Sequence, residues 1–197
     1  MTLQNLSKIL DKYESQQLGS SSIQQFELLT GLSFYDWLNP GNISDFNHAI
    51  GLPQKNGQTM PLFDYEQMLF DALQSNKHIW IKKAIGLGVT EFMLRYMAWL
   101  CFSTNNVLNN SQMCIVTGPR IELAITLIDR MKGLFTSDLA PHGANSYKTT
   151  FDTKETVIEL NGVHIEAYPS HHLDAKCGLK DVSFIYLDEA DFFPPGQ

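Results

Sequence analysis

The chain has 197 residues, 44% of them hydrophobic and 18% charged, with a net charge of −7. This is the composition of a globular domain with its own core, and it excludes disorder along the whole chain. The acidity provides no bulk basic surface for sequence-independent nucleic-acid binding, although a basic channel can lie on an acidic body.

Leu3, Leu6, Ile9, Leu10 and Tyr13 recur at helical spacing, which predicts an amphipathic helix over 3–18 ended by the Gly19–Ser22 run. A second helix is predicted over 23–37 on Phe26, Leu29 and Trp37. Gly, Asn and Pro clusters then predict a loop-rich stretch at 38–61. Residues 1–50 therefore read as a helical N-terminal segment, ahead of a domain over 60–197.

From residue 60 the pattern alternates. DYEQMLFDALQSN (64–76) predicts a helix, HIWIKKA (78–84) a short strand, and FMLRYMAWLCF (92–102) an apolar helix. SQMCIVTGP (111–119) predicts a buried strand and RIELAITLIDRMKGLF (120–135) an amphipathic helix. TVIELNG and VHIEAYP pair as a hairpin around Asn161-Gly162, a favoured turn dipeptide. VSFIYLDEADFF (182–193) is a further buried strand with acids at its end. Strands alternating with helices predict a three-layer α/β fold with a central, mostly parallel sheet.

Cys101, Cys114 and Cys177 have no short mutual spacing, so they suggest buried thiols and a reducing compartment, not a disulfide framework or zinc site. MTLQNLSKILDKYES lacks the apolar core of a secretory signal, and no run reaches the ~18 apolar residues of a membrane span. The reading is a cytoplasmic protein without a membrane partner.

Two motifs carry chemistry. Lys82 to Glu91 form a glycine loop between a predicted strand and a predicted helix. Glycines let backbone N–H groups approach phosphates, and the helix N-terminus adds a favourable dipole. Ile85, Gly86, Leu87, Gly88, Val89, Thr90 and Glu91 are the expected nucleotide-binding residues, with the Thr90 hydroxyl on Mg²⁺. Val89 stands where a lysine usually precedes the hydroxyl, so Lys83, more than Lys82, is expected to supply the phosphate cation. The same letters also describe a ligand-free strand-to-helix turn.

The second motif is the apolar run 184–187 ending in Asp188 and Glu189. Asp188 is expected to hold Mg²⁺ and Glu189 to orient the attacking water. A strand leaving into a solvated acidic turn would look similar, and the functional reading rests on the two motifs together. Tyr65 and Gln67 are candidates for stacking on adenine and reading it by amide hydrogen bonds. Arg120 could meet a phosphate. His171 and His172 lack a third ligand for a metal. Trp80, Trp99, Met93 and Met97 suit core packing.

Leu187-Asp188-Glu189-Ala190-Asp191 resembles the DEAD motif of DEAD-box helicases, and Gly118 to Ala124 resembles their motif Ia. Lys83-Ala84-Ile85-Gly86-Leu87-Gly88-Val89-Thr90 resembles more closely the deviant Walker A loop of terminase large subunits, the viral DNA-packaging motors, whose basic residue stands at the loop's beginning. Ser170 to Asp181, with Lys176 where arginine is common, is similar to the terminase stretch before Walker B. The resemblance covers residues 60–197. It implies a P-loop NTPase fold of the RecA/ASCE type, truncated after Walker B. It further implies ATP and Mg²⁺ as cofactors and hydrolysis coupled to translocation of double-stranded DNA. A homo-oligomeric ring, portal and small-terminase partners, and a host-cytoplasmic location follow by the same analogy. It also implies that the coupling motif, later strands and nuclease domain of that family would lie beyond Gln197. The alternatives are a catalytically weak nucleotide-binding assembly module and a DEAD-box-like nucleic-acid remodeller.

Overall fold

The computed structural model describes residues 40–56, 58–103, 108, 110–136, 149–150, 154–171 and 181–193, together with 24, 27 and 28. The helix predicted over 3–18 lies outside the described residues. Of the second, only Gln24, Glu27 and Leu28 fall inside, and these are helical.

The stretch predicted as loop at 38–61 contains a helix, α1 (Ile43–Ile50). Its boundaries follow ordinary capping chemistry. The Asn42 side chain accepts the Asp45 N–H, and Gly51 closes the other end at φ 72°. A two-residue hairpin follows, β1 (Gln54–Lys55) and β2 (Gln58–Thr59). Ile43, Phe46, Ala49 and Ile50 of α1 join the same hydrophobic core as the elements after residue 60. The Trp99 indole N–H reinforces this contact by donating to the Pro40 carbonyl at 2.9 Å.

Next come α2 (Asp64–Ser75) and α3 (Val89–Phe102), β3 (Gln112–Thr117) and α4 (Ile121–Thr136). Then follow β4 (Thr149–Thr150), β5 (Val157–Leu160), β6 (Val163–Pro169) and β7 (Val182–Leu187). A short 3₁₀ turn spans Ala190–Phe192. The hairpin reading holds. β5 and β6 are antiparallel, and Asn161 and Gly162 both take positive φ, at 49° and 78°. Two left-handed residues in succession match the right-handed strand twist.

The main sheet runs β4-β5-β6-β3-β7. β3 is parallel to β6 and to β7, whereas β4–β5 and β5–β6 are antiparallel. The fold is thus α/β with a mixed sheet, which corrects the expectation of a mostly parallel one. The reason is the tight Asn161-Gly162 turn, because a two-residue connection can join only antiparallel strands.

A second correction concerns 78–84. These residues form no strand; the backbone is irregular from there to the start of α3. Trp80 is 88% exposed, so it does not belong to the core, while Trp99, Met93 and Met97 are buried as expected. Alternating apolar letters favour a strand only where an edge pairs with them. Among the described residues, no strand does so here.

The core lies between one sheet face and α1, α3 and α4. Met113, Ile115, Ile158, Leu160, Val163, Ile165, Ala167 and Tyr186 face it from the strands. Alternation sends Ile185 and Leu187 of β7 to the other face, where both are exposed. Cys101 and Cys114 are buried free thiols; Cys177 lies outside the described residues.

Candidate nucleotide site

The parallel strands β3 and β7 end side by side, with Val116 opposite Leu187. The Asp188 N–H continues the ladder by donating to the Val116 carbonyl at 2.8 Å. This fixes the backbone of the first acid at the carboxyl end of the sheet, where ligands of α/β folds gather. Asp188 is buried at 8% exposure.

The glycine loop reaches the same place. Gly86 and Gly88 take left-handed φ values of 87° and 72°, and Gly88 is the N-cap of α3. Such turns suit glycine because a Cβ would be strained there. Residues 85–88 are exposed, while Val89 is buried as the helix begins. Thr90, one residue further, brings its hydroxyl to Asp188 Oδ1 at 3.2 Å. Two motifs separated by most of the domain therefore meet through one hydrogen bond.

A second hydroxyl meets the same oxygen. Tyr186 Oη donates to Asp188 Oδ1 at 2.6 Å. Strand alternation puts Tyr186 and Asp188 on one face, two residues apart. Burial, and then the neighbouring Asp188 charge, push the Tyr186 phenol well above its usual range, so it stays protonated and donates. The Arg130 charge acts on Tyr186 in the opposite sense.

Glu189 is different. It is exposed, and its backbone is left-handed at φ 55°, ψ 44°. A non-glycine residue in that region is strained, and such strain gathers at functional positions. The turn it makes separates the two carboxylates, one buried and one open.

Tyr65 ties the glycine loop to α2. Its hydroxyl donates to the Leu87 carbonyl at 2.5 Å, and its ring stacks on Phe63 at 5.6 Å between centroids. Behind it, Glu66 and Arg95 form a buried ion pair at 2.6 Å, and Glu66 also accepts the Phe63 N–H at 3.0 Å. Gln67 is exposed and donates to Asp71 on its own helix at 2.9 Å. The structure therefore brings Tyr65 to the loop and turns the Gln67 amide along α2. Glu91 is engaged by Arg130, whose Nε donates to Glu91 Oε1 at 2.6 Å, bridging α3 and α4. Lys82 and Lys83 are both exposed on the irregular segment, and no carboxylate among the described residues pairs with Lys83. Arg120 is exposed just ahead of α4, and His172 lies outside the described residues.

No protein-family model and no curated protein matches the chain.

The donor set fits a hard divalent cation. Asp188 is a buried carboxylate whose partners here are two neutral hydroxyls, with no cation in ion-pair reach among the described residues. Burying a carboxylate without a countercharge is costly. Mg²⁺ commonly takes one or two carboxylates plus hydroxyl, water and phosphate oxygens. Among the described residues no cluster of three or more His, Cys, Asp or Glu gathers. No helix among them is long and apolar enough to cross a membrane.

Sequence reasoning did not single out Tyr186, Arg130 or the Glu66–Arg95 pair. Period-2 alternation before Asp188 was the available signal for the first. No local pattern could pair Arg95 with Glu66 across two helices.

Proposed function

We propose that the chain is a Mg²⁺-dependent ATP-binding domain that hydrolyses ATP, and that it serves as a motor domain like those of terminase large subunits. The single observation that carries the nucleotide reading is the meeting of Thr90 with Asp188, a glycine-loop hydroxyl on a buried strand-end carboxylate. Phosphates would lie against the loop amides of 86–91 and the N-terminus of α3, where the helix dipole favours anions. Thr90 and Asp188 would hold Mg²⁺, which neutralises the charge that develops on transferring phosphoryl oxygens. Glu189, open to solvent beside Asp188, is the group to polarise water. Lys83, exposed at the head of the loop and without a carboxylate partner among the described residues, is the cation for the phosphates. Tyr65, already on the Leu87 carbonyl, is suited to border the base.

Coupling to double-stranded DNA, a ring assembly, and portal and small-terminase partners rests on the resemblance of residues 60–197 to terminases, because a nucleotide site does not define the coupled task. The reading of a weakly active assembly module draws support from Lys82 and Lys83 standing exposed on an irregular segment. Titration calorimetry with a non-hydrolysable ATP analogue tests the site. Binding that needs Mg²⁺ and is weakened but still measurable in Asp188→Asn is expected; no binding to folded protein at millimolar analogue with Mg²⁺ refutes it.

A further inference from the structure

We propose that Tyr186 is a positioning residue for the metal: its hydroxyl holds the Asp188 carboxylate in the orientation that presents its other oxygen to the cation. This rests on the nucleotide reading above and deepens it.

The geometry has three parts. The Tyr186 hydroxyl and the Thr90 hydroxyl both converge on Oδ1 of Asp188, at 2.6 and 3.2 Å. That oxygen is thereby oriented from two sides, and Oδ2 is the one left without either contact. Tyr186 is 8% exposed, and its ring stands in the core facing α3, so it cannot swing away as a surface side chain could. Its place in the ladder is set by Ile115 of β3, its register partner, and the Asp188 backbone is pinned to Val116 next door. The hydroxyl and the carboxylate thus have little freedom relative to one another.

The consequence follows from how metal ligands are supported. A carboxylate ligand free to rotate loses entropy when it binds the cation, and one already held by a hydrogen bond does not. Groups that hold ligands in this way typically contribute about 10–100-fold to metal affinity or activity. Thr90 would itself be one of the ligands, so its hydroxyl belongs to the set that the cation would arrange, whereas Tyr186 would support the carboxylate from outside that set.

The test uses Mn²⁺ as the probe. Free Mn²⁺ is followed by electron paramagnetic resonance during titration of the full chain with a non-hydrolysable ATP analogue present. Tyr186→Phe should weaken Mn²⁺ binding about tenfold, while its circular dichroism spectrum stays that of the unaltered chain. In an Asp188→Asn background the same change should add nothing, because the hydroxyl acts through that carboxylate. A packing role would instead weaken both backgrounds alike. Mn²⁺ affinity unchanged or raised in Tyr186→Phe overturns the proposal, as does an equal loss in both backgrounds. Should Tyr186→Phe not fold, site-specific 3-fluorotyrosine at 186, which keeps the ring and makes the hydroxyl a stronger donor, is expected to shift the Mn²⁺ affinity, and no shift overturns the proposal. An unaltered chain that binds neither the analogue nor Mn²⁺ overturns the nucleotide reading itself, whereas normal binding that ignores Tyr186→Phe overturns only the role given to Tyr186.

Discussion

Arg95→Met tests whether the buried ion pair behind the glycine loop holds the loop's anchor in place. Arg95 and Glu66 meet at 2.6 Å with side chains only 4% and 3% exposed. Removing one partner leaves the other charge buried without compensation, which costs about 3–5 kcal/mol. Methionine retains most of the aliphatic volume that packs beside Phe92, whose ring the guanidinium overlies at 5.8 Å. The loss is then mainly electrostatic, although Glu66 keeps the Phe63 N–H as one donor. For a chain of this size a change of 1 kcal/mol shifts the melting temperature by about 2–4 °C, so a fall of roughly 6–20 °C is expected. Thermal and urea denaturation by circular dichroism measure it, with the slope in urea required to stay constant. The double variant Glu66→Leu/Arg95→Met should recover most of the loss, because a hydrophobic pair of similar volume often replaces a buried ion pair at little cost. A loss under about 1 kcal/mol in the single variant, or a double variant worse than either single one, would refute the reasoning. A functional readout follows from the same contacts. Glu66 neighbours Tyr65, whose hydroxyl is bound to Leu87 of the loop, so nucleotide affinity should fall in Arg95→Met even at temperatures where the protein is fully folded.

Three further outcomes are expected. Lys83→Ala should weaken binding of the ATP analogue by about 1.5–3 kcal/mol, the range of a charge-assisted phosphate contact, and Lys82→Ala by much less; equal small effects in calorimetry count against the assignment. Phosphate release by this chain alone should be slower than about 1 s⁻¹, the low end of ordinary enzyme turnover, and Glu189→Gln should abolish it while leaving analogue binding nearly unchanged; activity indifferent to that substitution rules out Glu189 as the base. Burial pushes the Cys101 thiol far above its ordinary value of 9.0. Its stabilising effect is therefore present below that value and is lost as pH rises above it and the unfolded thiol ionises, so native protein should resist iodoacetamide at Cys101 while unfolded protein reacts. Labelling at equal rates in both states contradicts the burial.

Several parts of this protein were legible from its letters because their causes are local. Asn161-Gly162 announces its own turn, since few residues take two left-handed conformations in succession. The helices at 64–75, 89–102 and 121–136 follow from long apolar stripes with the helical period. Gly86, Gly88, Thr90, Asp188 and Glu189 could be picked out because a glycine turn before a helix and acids after an apolar strand occur in one chain, although each alone also has an ordinary structural use. The helix at 43–50 was missed although Asn42 and Gly51 cap it, because proline and glycine clusters around it outweighed four apolar positions.

Tertiary structure alone decided the rest. Whether 78–84 becomes a strand depends on a neighbouring edge, which a sequence window does not contain. The mixed character of the sheet came from which strands found each other across the domain. That Thr90 meets Asp188, that Tyr186 joins them, and that Glu66 finds Arg95 between two helices are contacts made by folding. Burial then gives them their strength, because hydrogen bonds and charges removed from water count for more than the same groups at the surface.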